Sequence, residues 1–240
     1  MRTILLLLIY VLLSFLLLLL LVVFFPFGMR EPILRLAKWA MRLGGKILGI
    51  RIEVSGVDKV GDERAHIFMA NHLSFLDGPL LFMLIPRSLR VILKKEVFRV
   101  PIIGQAMRFV GFVPVDRQRV RGGRKSIEKA AGLMREKGYS FLIFPEGTRS
   151  RDGRVQDFRR GGFFLALESQ APIVPVSIRG TYELMPRGAL FARRGKVLVR
   201  FHPPVGVKGY DAANLRLLVE KVKGIIESGW RAMENPEGGA

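Results

Sequence analysis

Cysteine is absent from the 240 residues, which excludes a disulfide scaffold, a thiol nucleophile and any cysteine-ligated zinc or iron–sulfur centre. Histidine is scarce, with His66, His72 and His202 alone, and no HExxH pattern occurs. The Asp-Arg-rich stretch after Arg149 lacks calcium-loop spacing, so neither a metal nor another cofactor is expected. The scattered glycines form neither a GxGxxG fingerprint nor a GxxxxGK(S/T) phosphate loop, which argues against nucleotide chemistry. Internal repeats and long low-complexity linkers are missing too. Acidic residues are outnumbered, with 20 Asp plus Glu against 39 Lys plus Arg and a formal charge of +19, so the partner surface is anionic: phospholipid or nucleic acid. An apolar content of 50% with 25% charged residues describes a folded chain.

The first residues choose between those partners. Ile4 to Phe25 is a run of 22 residues without charge, and as a helix it would reach about 33 Å against a hydrocarbon core of about 30 Å. It ends in Phe24-Phe25-Pro26-Phe27 rather than a small-residue cleavage site, so it reads as a retained membrane segment. A core helix apolar on every face is the bland alternative. From Arg30 to Gly49 a second helix is expected, with Pro32 at its start and Arg35, Lys38, Arg42 and Lys46 on one stripe opposite Ile33, Ala37, Ala40, Gly44 and Ile47. Basic side chains beside anionic headgroups contribute about 1 kcal/mol each; packing of this helix on the following domain is the competing reading. Positive charge follows the apolar run, which places residues 28–240 on the cytoplasmic face of the cytoplasmic membrane. Nucleic-acid binding is disfavoured, because the apolar run has no place in it and aromatic-basic recognition motifs are missing.

Three segments follow: membrane-anchoring helices over 1–49, one α/β domain over 50–234, and a frayed tail over 235–240. Strands are expected at Ile50 to Val54, Ile67 to Ala70, Val91 to Leu93, Phe112 to Val115, Phe141 to Phe144, Ile173 to Ile178 and Val197 to Phe201. Helical patterns intervene at Gly78 to Met83, Ile102 to Val110, Lys125 to Glu136 and Gly161 to Ser169. A last apolar stripe runs from Leu215 to Ile226. This rhythm predicts a mixed, largely parallel sheet covered by helices and preceded by a two-helix anchor.

Chemistry in such a fold lies where strands end. The segment after the second strand is Asn71-His72-Leu73-Ser74-Phe75-Leu76-Asp77-Gly78-Pro79. His72 and Asp77 would lie about 140° apart in a helix and on opposite faces of a strand, so contact needs a turn. A strand-to-helix turn lets Asp77 accept from one ring nitrogen and leaves the other to take a proton, a general-base pair. The competing reading makes Asp77 a helix cap and leaves His72 to pack.

A second constellation, Phe144-Pro145-Glu146-Gly147-Thr148-Arg149-Ser150, follows the fifth strand. Together, His-x-x-x-x-Asp, Gly111-Phe112-Val113-Pro114-Val115-Asp116-Arg117, this block and Ala171-Pro172-Ile173-Val174-Pro175-Val176 resemble, in order, the four blocks of the glycerolipid acyltransferase family that includes 1-acylglycerol-3-phosphate acyltransferases. The resemblance covers about residues 50 to 205. It implies transfer of a fatty acyl group from acyl-CoA or acyl carrier protein to a lysophospholipid hydroxyl. His72 would be the base and Asp77 its orienting partner. Arg117 and Arg149 would meet the acceptor phosphate, with donors added by Gly147 and Thr148, while Glu146 orients an arginine or receives a glycerol hydroxyl. Lys94, Lys95, Arg159 and Arg160 are further phosphate candidates. Ser74 as a nucleophile is disfavoured, since neighbouring positions rarely give Ser and His attack geometry. A non-catalytic membrane scaffold would account for the anchor but not for the four blocks. Lysophosphatidic acid is the expected acceptor; glycerol-3-phosphate, another lysophospholipid or a lyso-ornithine lipid would need the same chemistry.

Overall fold

The computed structural model describes residues 12, 15, 16, 18, 19, 22–24, 26–100, 103–115 and 120–234. Most of the run from Ile4 to Phe25, Arg117 and the 235–240 tail therefore lie outside the described residues. Among the described residues, no helix is long and apolar enough to cross a membrane.

Helix α1 (Glu31–Leu48) begins with Pro32 in its first turn and stops at Gly49, whose φ of 71° ends the helix in a left-handed cap. The strands follow as β1 (Ile50–Ser55), β2 (Ile67–Ala70), β3 (Leu89–Lys94), β4 (Val113–Val115), β5 (Ser140–Ile143), β6 (Ile173–Arg179) and β7 (Gly195–Phe201). Between them lie α2 (Asp77–Leu84), α3 (Ile103–Phe109), α4 (Val120–Lys137), α5 (Gly161–Ser169) and the short α6 (Thr181–Leu184), and α7 (Leu215–Ala232) closes the chain. All seven expected strands form, with ends displaced by a residue or two. Helix α6 has too little periodicity to be read from the sequence.

The sheet order is β1-β7-β6-β2-β5-β3-β4. Five strands, β6, β2, β5, β3 and β4, run parallel; β7 is antiparallel to β6, and β1 is parallel to β7. The sheet is mixed and largely parallel, as expected. Strands β2 and β6 sit at its centre and bury nearly every residue, which is why they read as unbroken apolar runs. Along β2 the side chains divide by parity. Phe68 and Ala70 meet α1 and α2 through Ile33, Leu34 and Leu80 to Met83, whereas Ile67 and Met69 meet α4, α5 and α7 through Ala130, Phe163, Leu218 and Val222. The domain is thus a three-layer α/β/α sandwich.

The basic stripe of α1 is divided. Arg35, Arg42 and Lys46 are exposed, but Lys38 turns inward, with Nζ donating to the Ile85 carbonyl at 2.9 Å and lying 5.5 Å from the Phe82 ring centroid. The buried face is built from Ile33 and Leu34, with Ala37 and Met41 packed against the core, rather than from the full set of Ala40, Gly44 and Ile47. A larger cationic side chain, Arg90, is fully buried at the start of β3. It stacks 3.7 Å from the Tyr139 ring centroid and bonds Glu31 Oε1 at 2.8 Å, which pins the first turn of α1 to the sheet.

Beyond β2, the side chain of Asn71 continues the sheet. Its Nδ2 donates to the Ile178 carbonyl and its Oδ1 accepts the Ile178 amide, both at 2.8 Å and fully buried. Replacing Asn71 with Ala strands both Ile178 backbone groups, at about 1–3 kcal/mol each. The Asn71→Ala protein is expected to melt about 4–24 °C lower in a thermal scan; an unchanged midpoint would show that this pairing is not structural.

Candidate active site

The site forms at the carboxyl edge of the parallel strands. Helix α2, which follows β2, packs on one face of the sheet, and α5, which follows β5, packs on the other, although β2 and β5 are neighbours. Their outgoing loops must diverge, and an open α/β sheet offers its binding crevice at such a switch point. The two loops that flank it carry His72 to Asp77 and Phe144 to Ser150.

Asp77 is buried at the first residue of α2 and points back into the preceding turn. Its Oδ2 accepts from the amides of Leu73 and Ser74 at 2.7 Å each, and from His72 Nδ1 at 2.9 Å. The carboxylate therefore caps a turn and holds the histidine at once; it caps the turn before α2, not the first amides of the helix. A carboxylate acceptor requires the proton on Nδ1, which leaves the Nε2 lone pair available. The ring stacks on Phe144 with centroids 4.1 Å apart and planes inclined by 17°. The His72 side chain remains 20% exposed, and among the described residues no hydrogen bond occupies Nε2.

The second loop grips the backbone of the first. Glu146 Oε1 accepts the His72 amide at 2.9 Å, and the Ser150 amide donates to the His72 carbonyl at 2.8 Å. Glu146 is thus a buried strut between the loops, placed next to His72 and not toward an arginine. Burial pushes its carboxyl up to about 8, with the Asp77 charge adding to the shift against the His72 and Gln156 amides and Lys223. At Gly147, φ is 75°, and an added Cβ would come within 3.2 Å of the Arg159 side chain. Glycine here serves both the turn and the approach of Arg159.

Thr148 is exposed and Arg149 half-exposed on the same loop, and no carboxylate among the described residues pairs with Arg149. Lys94 is exposed at the end of β3, in register with Val115, two residues before Arg117. Arg160 is exposed at the start of α5. Ser74 faces away from the imidazole: its hydroxyl is bound to the Met185 carbonyl at 2.7 Å and accepts the Leu76 amide. The other histidines take no part. His66 precedes β2 and bonds Glu63 at 2.9 Å; His202 follows β7 and bonds Ser177 Oγ at 2.8 Å, with burial and the Arg200 and Lys59 charges lowering it to about 4. Phe144 stacking, the Asn71 pairing and the Glu146 strut had no separate signal in the sequence beyond their place beside His72 or in the second block.

The acyltransferase family profile matches residues 51–179, a span that contains both loops. The 1-acyl-sn-glycerol-3-phosphate acyltransferase of Limnanthes douglasii is 30% identical over 199 residues, covering 82% of this chain and 70% of that protein. The protein of the same name from Borreliella burgdorferi is 31% identical over 197 residues, covering 80% and 75%. The crystal structure of the 1-acyl-sn-glycerophosphate (LPA) acyltransferase PlsC from Thermotoga maritima superposes with a TM-score of 0.74 at 28% identity, over 98% of each chain. This chain is a group-transfer enzyme of the α/β class. It belongs to the acyltransferase family.

Glu146 sets a pH dependence. Because its carboxyl is raised from 4.5 to about 8, the folded chain holds a proton that the unfolded chain releases. The stability it contributes is complete below about pH 4.5 and is lost as pH rises toward 8, by about 1.4 kcal/mol per unit at the steepest. Glu146→Gln stays neutral throughout, so it is expected to gain stability relative to the parent between pH 5 and 8 in urea unfolding. Parallel pH profiles for the two proteins would show that Glu146 is ionised when folded.

Proposed function

We propose that this acyltransferase moves a fatty acyl group from a thioester donor, acyl carrier protein or coenzyme A, to the sn-2 hydroxyl of lysophosphatidic acid, giving phosphatidic acid. The observation that carries the reading is the His72–Asp77 pair with Nε2 free at the strand-edge crevice, and the names of the relatives support the acceptor. His72 Nε2 takes the proton of the acceptor hydroxyl as its oxygen attacks the thioester carbonyl. The carbon–sulfur bond then breaks, and the imidazolium returns the proton to the leaving thiolate. Asp77 fixes the tautomer and balances the imidazolium charge. Transfer is direct, in keeping with the hydrogen bond that occupies the Ser74 hydroxyl.

Arg149, Thr148 and the turn at Gly147 supply donors to the acceptor phosphate, with Lys94 at the end of β3 as a further cation and Arg117 assigned the same role by its place in the second sequence block. Glu146 acts through His72 as a positioning residue. The protein works at the cytoplasmic face of the cytoplasmic membrane, anchored by residues 4–25 and by α1 lying along the interface. Arg35, Arg42, Lys46 and the exposed Trp39 and Met29 support that anchor. Since the chain has no cysteine, a single thiol at Asp152→Cys reports topology: labelling is expected in inside-out vesicles only, and labelling of sealed cells from outside would refute it.

His72→Ala is expected to lower acyl transfer by at least about 10²-fold with the fold intact. Asp77→Ala should lose activity comparably and also melt lower, because the Leu73 and Ser74 amides lose their acceptor. Near-normal turnover of either purified variant would remove the dyad from the mechanism.

Arg149→Ala is expected to raise KM for a phosphate-bearing acceptor at least about tenfold while leaving the donor KM close to the parent value. Equal effects on both substrates would assign it elsewhere. A panel of acceptors crossed with acyl donors, read by product mass, identifies the preferred pair.

A further inference from the structure

The segment between α6 and β7 is a closed loop. The Arg193 amide donates to the Leu184 carbonyl at 2.8 Å, and the Ala189 amide to the Pro186 carbonyl at 3.0 Å, so both ends are held and the tip is presented outward. At that tip Leu190 is 84% and Phe191 65% exposed. A lone exposed leucine is ordinary on a protein surface, but here two adjacent large apolar side chains sit together on a closed loop. Exposed arginines flank them, Arg187 before and Arg193 and Arg194 after, and no carboxylate among the described residues pairs with any of the three.

The base of this loop is fastened to both loops of the active site. Ser74 donates its hydroxyl to the Met185 carbonyl at 2.7 Å, and the Tyr182 hydroxyl donates to the Arg151 carbonyl at 2.8 Å. Phe75, beside Ser74 in the His72 to Asp77 turn, is itself 60% exposed.

We propose that the loop from Met185 to Arg194 is a membrane contact, in which Leu190 and Phe191 enter an anionic leaflet while Arg187, Arg193 and Arg194 meet lipid headgroups. An apolar tip between cations matches the layering of an interface, acyl chains beneath anionic oxygens. The proposal rests on the interfacial reading of the active site and adds to the N-terminal anchor a contact joined to the site itself. Docking of the loop fixes the depth of the His72 to Asp77 turn through Ser74. The imidazole then meets an acceptor hydroxyl at headgroup level, and the acceptor's acyl tail stays in the leaflet.

The full chain without cysteine allows Leu190→Cys to carry a single nitroxide label, with Leu217→Cys on α7 as the control, since Leu217 is also exposed. On vesicles of phosphatidylcholine with phosphatidylglycerol, the ratio of oxygen to water-soluble nickel-chelate collisions is expected to rise at least about threefold at position 190 and to stay unchanged at 217. An aqueous ratio at 190 on a protein that sediments with the vesicles overturns the loop contact alone. Failure of the parent protein to sediment overturns the interfacial reading beneath it. Leu190→Ser with Phe191→Ser is expected to lower turnover of vesicle-borne acceptor about five- to tenfold and that of detergent-dispersed acceptor less than twofold. A raised KM for the acyl donor in both media, with vesicle turnover otherwise unchanged, assigns the loop to the donor and overturns the membrane contact.

Discussion

Asp77 Oδ2 is removed from water and receives two backbone amides and the His72 Nδ1–H, so one oxygen shapes the turn after β2 and orients the imidazole within it. The two tasks depend on each other. The turn cannot close without an acceptor for the Leu73 and Ser74 amides, and the imidazole has no fixed tautomer without the same acceptor. Five residues separate the pair because that length of chain, turned once, brings the side chain at the start of α2 back to the residue leaving β2.

Around this oxygen the two helical layers contribute from opposite sides. The chain after β2 departs toward α1 and α2, the chain after β5 toward α5, and the crevice between them is where both carry polar groups outward. Glu146 and Ser150 close that crevice from within by bonding the amide and the carbonyl of His72. A strut inside the domain must cross from one loop to the other without water. A protonated carboxyl does this at lower desolvation cost than an anion, in line with the raised Glu146 value.

The strands were legible because central parallel strands bury both faces and leave unbroken apolar runs, as in Ile67 to Ala70 and Ile173 to Ile178. The dyad was legible as a spacing, and the second block as a sequence following a strand. Contacts made by long-range pairing left no local trace. Asn71 finds Ile178 across 107 positions, and Glu146 finds the His72 amide across 74. Arg90 reads as one more surface cation until Tyr139 and Glu31 enclose it. Lys38 likewise belongs to a basic stripe by periodicity, yet the Ile85 carbonyl at the end of α2 draws it inward. Periodicity records which face a residue occupies, and it carries no information about an orphan carbonyl on a neighbouring element.

The pairings of Asn71 and His72 extend the sheet past the last backbone rung of β2. Asn71 takes the place of a strand residue opposite Ile178, and His72 is held on both its amide and its carbonyl by the loop from β5. The histidine is therefore the terminal rung of a ladder and not a passenger on a loop. With its amide and carbonyl both bonded to the loop from β5, local opening at His72 has to break the contacts of two loops at once, which ties the placement of the base to the pairing of β2 with β5.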